Sequence, residues 1–156
     1  MNLIVSILKI MDRKFQIEKV CMIVIKHILK EKLILLLSSM KNLKRLIYYP
    51  NGLKNNHYTI PDEVEVIGER AFVQCVLQSI TLSKSLKEIQ KEAFYLNSKL
   101  QRIFITENVQ RINEYAFGFN ERLKEVVIVS KTINLDKGVF CGCKTLNNVL
   151  IVEEMD

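Results

Sequence analysis

At 156 residues, with 49% hydrophobic and 26% charged residues and only two prolines, the chain has the composition of a folded domain and not of a disordered one. Charge is uneven: residues 1–57 carry eleven basic and three acidic groups, a net of +8, while residues 58–156 come to −2. The uncharged runs Met1 to Leu8 and Leu33 to Met40 fall far short of the ~20 apolar residues a membrane-spanning helix needs, which excludes that class.

The N-terminal stretch begins apolar at once. No basic region precedes it and no small-residue cleavage site follows Ile10, so it is not expected to act as a signal peptide. From Phe15 to Met40 two readings compete. Leu, Lys and Glu favour a helix there. A ruler of 23 residues favours repeats instead: Val20, Ile23 and Ile25 stand 23 residues before Leu43, Leu46 and Tyr48. Leu3, Ile7, Ile10 and Phe15 keep the same mutual offsets as Ile60, Val64, Ile67 and Phe72. No capping residue marks a helix start near Phe15, so degenerate repeats are expected over residues 1–42, with a strand at Ile23–Ile25.

The next strands are expected at Leu46–Tyr48 and Tyr58–Ile60, only twelve residues apart. Tyr49-Pro50-Asn51-Gly52 supplies the break: Pro fixes φ and Asn-Gly tolerates positive φ, which makes residues 43–57 a short irregular repeat. Regular repeats then fill residues 58–156, with strands at Ile80–Leu82, Ile103–Ile105, Val126–Ile128 and Val149–Ile151. Leu77, Leu100, Leu123 and Leu146 are each 23 residues apart, and the triplets that follow them repeat Leu-x-x-Ile-x-Leu in register. An Ala-Phe pair closes each unit at Ala71-Phe72, Ala93-Phe94 and Ala116-Phe117, with Val139-Phe140 as the variant.

Apolar residues at alternate positions read as a strand with one buried face. A single such strand cannot bury its own face. Stacking copies at the sheet spacing of about 4.8 Å lines identical side chains into columns, so the period predicts an elongated solenoid, and seven strands predict one sheet about 30 Å long.

Tyr58-Thr-Ile-Pro-Asp-Glu-Val-Glu-Val-Ile-Gly-Glu-Arg-Ala-Phe-Val-Gln-Cys75 resembles the I-P-x-x-V-x-x-I-G-x-x-A-F-x-x-C unit of BspA-type leucine-rich repeats. Leu43 to Gly52 is similar to a short leading unit often found ahead of that repeat. The resemblance is close over 43–151 and degenerate over 3–42. It implies a β-dominated repeat solenoid of the α/β type, a right-handed superhelix with one strand per repeat in a parallel sheet. A second extended segment and a helical turn would lie on the other side. It also implies a role in adhesion or protein interaction, at a cell surface or in the cytoplasm. Relative to that family the chain lacks capping units, so both solenoid ends would show apolar edges, and a fragment of a longer protein is expected.

Site chemistry is sparse. Cys75, Asn97, Asn120 and Cys143 each fall three residues after the repeat Phe, where a small buried side chain is expected to meet backbone groups. Cys141-Gly-Cys143 lacks both the spacing and the second ligand pair of a zinc site. Cys21 reads as a reduced thiol, and His27 and His57 as surface turn residues with no triad spacing. No phosphate loop, metal motif or grouped nucleophile and base occurs, so no cofactor and no enzymatic activity are expected.

Binding is the remaining class. The residues between core positions point out of the sheet: Val24, Ile47, Thr59, Thr81, Phe104, Val127 and Leu150. Arg45 and Arg102 flank them, and large apolar residues bordered by Arg suit a protein interface. The candidate contact set is therefore Val24, Arg45, Ile47, Arg102, Phe104, Val127 and Leu150, with a protein or other macromolecule as ligand. The bland alternative is that strands simply favour such residues. A second function is binding of nucleic acid or anionic membrane by the basic first third; it ranks lower because no aromatic-interleaved basic motif accompanies the charge.

Overall fold

The computed structural model describes residues 44–49, 56–130 and 132–152. The expected repeats over residues 1–42, the strand Ile23–Ile25 and the candidate Val24 lie outside the described residues. Described strands are, in chain order, β1 (Arg45–Leu46), β2 (His57–Thr59), β3 (Val66–Ile67), β4 (Ser79–Thr81), β5 (Glu88–Ile89), β6 (Arg102–Ile105), β7 (Arg111–Ile112), β8 (Glu125–Val129), β9 (Asn134–Leu135) and β10 (Asn148–Val152).

Each repeat supplies two short strands and not one, and all pairing is parallel. The Leu-x-x-Ile-x-Leu strands form a two-stranded sheet, β2-β4, and a three-stranded sheet, β6-β8-β10. The second extended segment makes a five-stranded ladder, β1-β3-β5-β7-β9. It pairs because its own apolar residues, Ile67, Ile89 and Ile112, also point inward and are fully buried. The expected single seven-stranded sheet is therefore replaced by ladders on two sides of a flat core. The core holds Leu77, Leu100 and Leu123 with Ile80, Ile103 and Val126 from one side, and Val64, Leu86 and Val109 from the other. The offset between stacked residues is 23 from β5 onward in the long ladder, while Val66↔Glu88 and Tyr58↔Ile80 are 22 apart.

The strand expected at Leu46–Tyr48 is corrected. Leu46 stacks on Ile67, in the five-stranded ladder, and does not precede Tyr58 in the other sheet. Tyr49 explains why. Its N–H donates to Ala71 O at 2.7 Å, as that of Phe72 does to Ala93 O, also at 2.7 Å, so Tyr49 occupies the repeat-Phe position. Residues 44–49 are thus the second half of a repeat, shortened between its strand and its aromatic residue. The aromatic column runs Tyr49, Phe72, Phe94, Phe117 and Phe140, with near-parallel rings whose centroids lie 5.1, 4.9, 5.0 and 5.7 Å apart.

No helix occurs among the described residues, and the helical turn implied by the resemblance is replaced by a turn with two left-handed residues. Arg70, Glu92, Tyr115 and Gly138 hold φ of 56°, 53°, 52° and 68°; four residues on, Gln74, Leu96, Phe119 and Gly142 hold 56°, 60°, 56° and 74°. Such a backbone costs an L-residue roughly 1–2 kcal/mol. Bonds to the next turn hold it: the N–H groups of Arg70, Phe72 and Gln74 donate to Lys91, Ala93 and Tyr95 O at 3.1, 2.7 and 2.9 Å.

Aromatic side chains lie over the glycines of the following turn. A Cβ on Gly138 would come 2.7 Å from the Tyr115 ring, and one on Gly142 2.7 Å from the Phe119 ring. Gly138→Ala is therefore expected to destabilise by about 1–3 kcal/mol, combining left-handed backbone with overpacking. In a Tyr115→Ala background the cost should fall to the backbone part alone. Urea unfolding of the four variants measures this, and equal costs in both backgrounds would refute the ring contact.

Candidate interaction surface

The strand face carries two outward columns, because side chains alternate and the inward set is taken by the core. One column is Thr59, Thr81, Phe104, Val127 and Leu150; the other is His57, Ser79, Arg102, Glu125 and Asn148. The described ladders break between β4 and β6, and the surface changes character there.

On the two-stranded side, His57 Nδ1 lies 2.8 Å from Ser79 Oγ, and Nε2 lies 3.1 Å from Thr59 Oγ1 and 3.4 Å from Thr81 Oγ1. The sequence spacing of His57 hid this, since Ser79 is reached only across the ladder. The cluster is exposed, and among the described residues no carboxylate bonds to it. On the three-stranded side, Phe104 is 53% exposed and Leu150 46%, with Val127 half-buried between them. Arg102 Nε pairs with Glu125 Oε2 at 3.1 Å beside them, its side chain 79% exposed.

The structure thus brings Arg102, Phe104, Val127 and Leu150 together, and it separates Arg45 and Ile47 from them. Arg45 lies in the five-stranded ladder, where it bonds Gln90, and Ile47 follows that strand. Sequence reasoning placed both on the strand face because Leu43, Leu46 and Tyr48 imitate its spacing. It also missed Lys99, Arg122 and Lys124, exposed at the rim where β6 and β8 begin; their signal is positional, since Lys99 and Arg122 stand 23 apart.

Interior polar groups serve the coil. Asn120 Nδ2 donates to Phe94 O at 3.0 Å and Phe117 O at 2.7 Å, while its Oδ1 accepts the Asn97 N–H at 2.7 Å. Asn97 Nδ2 donates to Phe72 O at 2.8 Å, and Cys143 Sγ to Phe117 O at 3.1 Å. The expectation that this Cys/Asn position meets backbone groups holds. Burial pushes the Cys75 thiol up to about 12, and burial chiefly raises that of Cys143, so neither suits nucleophilic work. Hydrogen bonds from Lys44 and Lys87 lower the pKa of Glu65 on the outer ladder. Among the described residues no group of three His, Cys, Asp or Glu side chains could hold a metal ion, and no helix is long and apolar enough to cross a membrane.

Comparison with known proteins agrees with this geometry. The model of the BspA type leucine rich repeat region (6 copies) matches residues 38–156. Among solved structures, a leucine rich cell surface protein of Faecalibacterium prausnitzii A2-165 superposes with a TM-score of 0.65 and 27% identity, over 71% of this chain and 30% of that one. The T. pallidum leucine rich repeat protein gives 0.64 with 20% identity, over 74% and 66% of the two chains. A leucine-rich repeat protein of Eubacterium ventriosum gives 0.57 with 22% identity, over 69% and 36%. The chain therefore spans about a third of two of these proteins and two thirds of the other. No curated protein matches.

Proposed function

Because the chain belongs to the BspA-type leucine-rich repeat family, we propose that it is a non-catalytic module for protein–protein interaction or adhesion, which binds through the three-stranded part of its strand face. The observation that carries this is the run Phe104, Val127, Leu150, stacked in register on neighbouring strands and facing solvent; on β6 and β8 the strand neighbours Ile103, Ile105, Val126 and Ile128 are buried, while on β10 Val149 and Ile151 are exposed beside Leu150. A contiguous exposed apolar column is what an interface core needs. Phe104 is the natural anchor: a large ring with little rotamer entropy to lose, bordered by Arg102. The name of the F. prausnitzii protein, a cell surface protein, supports adhesion as the setting.

Phe104→Asp removes an exposed ring and should leave stability within about 0.5 kcal/mol, as surface changes do. An unbiased peptide-display selection against the folded chain should converge on ligands that this variant no longer binds, with its circular dichroism unchanged. Ligands that converge on the five-stranded ladder instead, or a Phe104→Asp chain that unfolds, would sink the proposal.

A further inference from the structure

Resting on that reading of the strand face, we propose that its partner is an acidic protein segment carrying large apolar side chains. The observation is an unbalanced rim. Along the five-stranded ladder and the left-handed turns that follow it, carboxylates and cations of adjacent turns take each other up: Glu65 lies between Lys44 and Lys87, Arg70 pairs with Glu92 and Arg111 with Asp136. Lys99, Arg122 and Lys124 are exposed, and among the described residues none of them has an acidic partner. Residues 98–102, 121–125 and 144–148, which lead into β6, β8 and β10, hold five basic and two acidic groups, a net of +3. Where the same strands leave the face no such excess follows, since Glu107 after β6 is matched by Lys131 after β8.

The basic rim borders the apolar column directly. Lys124 precedes Val127 by three residues of extended chain, about 10 Å, a span that one short extended peptide covers. The uncompensated cations that lead into the strands of Phe104 and Val127, and the apolar column itself, are both satisfied by a partner that sets carboxylates on the rim and apolar side chains on the column. A polyphosphate chain meets the cations but leaves the apolar column uncovered.

The full chain is titrated by fluorescence anisotropy with three labelled synthetic peptides of equal length: one alternating aspartate with leucine and phenylalanine, one with every aspartate replaced by asparagine, one with every apolar residue replaced by serine. Poly(U) RNA is the fourth probe. The acidic apolar peptide should bind at least about tenfold tighter than the other two, with Kd raised about tenfold or more by Phe104→Asp and by the double variant Arg122→Glu, Lys124→Glu. Should the charge reversal disturb the circular dichroism, Arg122→Gln with Lys124→Gln replaces it and should weaken binding by a smaller factor.

If the asparagine peptide binds as tightly and still needs Phe104, the face binds but the cations have no part, and this proposal alone fails. If Phe104→Asp leaves acidic-peptide binding unchanged, the strand-face reading fails and this one with it. RNA binding that the charge reversal removes, without peptide binding, assigns the rim to nucleic acid and overturns the proposal, as does binding of no probe.

Discussion

Phe94→Ala is expected to destabilise the chain by about 3–5 kcal/mol, the cost of a large-to-small change at a fully buried aromatic that cannot collapse. Phe94 is fully buried and stacked on both sides, on Phe72 at 4.9 Å and 16° and on Phe117 at 5.0 Å and 5°. Each aligned ring pair contributes roughly 0.5–1.5 kcal/mol beyond its area. The neighbours are held by backbone bonds to one another, which prevents them from closing the gap: Phe72 N–H donates to Ala93 O and Phe94 N–H to Ala116 O, both at 2.7 Å. Phe140→Ala is the control, half-buried and stacked on Phe117 alone among the described residues, at 5.7 Å. Its cost should be about half. Since each turn touches only its neighbours, a void in the middle should also broaden the urea transition. A Phe94→Ala chain no less stable than Phe140→Ala would refute the continuous stack.

Asn120→Ala should cost about 2–4 kcal/mol, because it strands two buried backbone groups at roughly 1–3 kcal/mol each with some relief by relaxation. The groups are Phe94 O and the Asn97 N–H, while Phe117 O loses the Asn120 amide and keeps the Cys143 thiol at 3.1 Å. Asn97→Ala strands only Phe72 O and should cost less, since Asn97 Oδ1 accepts no hydrogen bond. Asn97→Cys should be milder again: Cys75 and Cys143 stand at that position, and Cys143 Sγ still reaches a backbone oxygen. Chemical denaturation of the three variants gives the order, and a chain in which Asn97→Ala is the more damaging contradicts this bonding.

The columns of the core were legible in the sequence because burial repeats a residue type at a fixed interval; Ile80, Ile103 and Val126 declare themselves by that alone. So was the outward phase of Phe104, Val127 and Leu150, since alternation leaves them no other side. Leu46 was not, because Leu-x-x-Leu-x-Tyr satisfies the strand pattern while its backbone pairs with Ile67. The pairing with Ile67, the Tyr49 N–H bond to Ala71 O and the ring of Tyr49 against Phe72 decide between the two placements, and all three are tertiary contacts. The left-handed turns were hidden for a different reason. Arg70, Glu92, Leu96 and Phe119 carry none of the residue preference for positive φ, and only Gly138 and Gly142, four apart, hint at it. The basic rim was obscured because Lys99, Arg122 and Lys124 make no run along the chain and gather only when turns stack.

The rings lying over glycines impose an order on the units. The unit with Tyr115 and Phe119 needs a successor with glycine at both matching places, which Gly138 and Gly142 supply. Copied in tandem behind itself, it would set side-chain carbons where its own rings already lie. The units are not interchangeable beads, then: genetic shuffling or duplication within this array is filtered by which neighbour each one tolerates downstream.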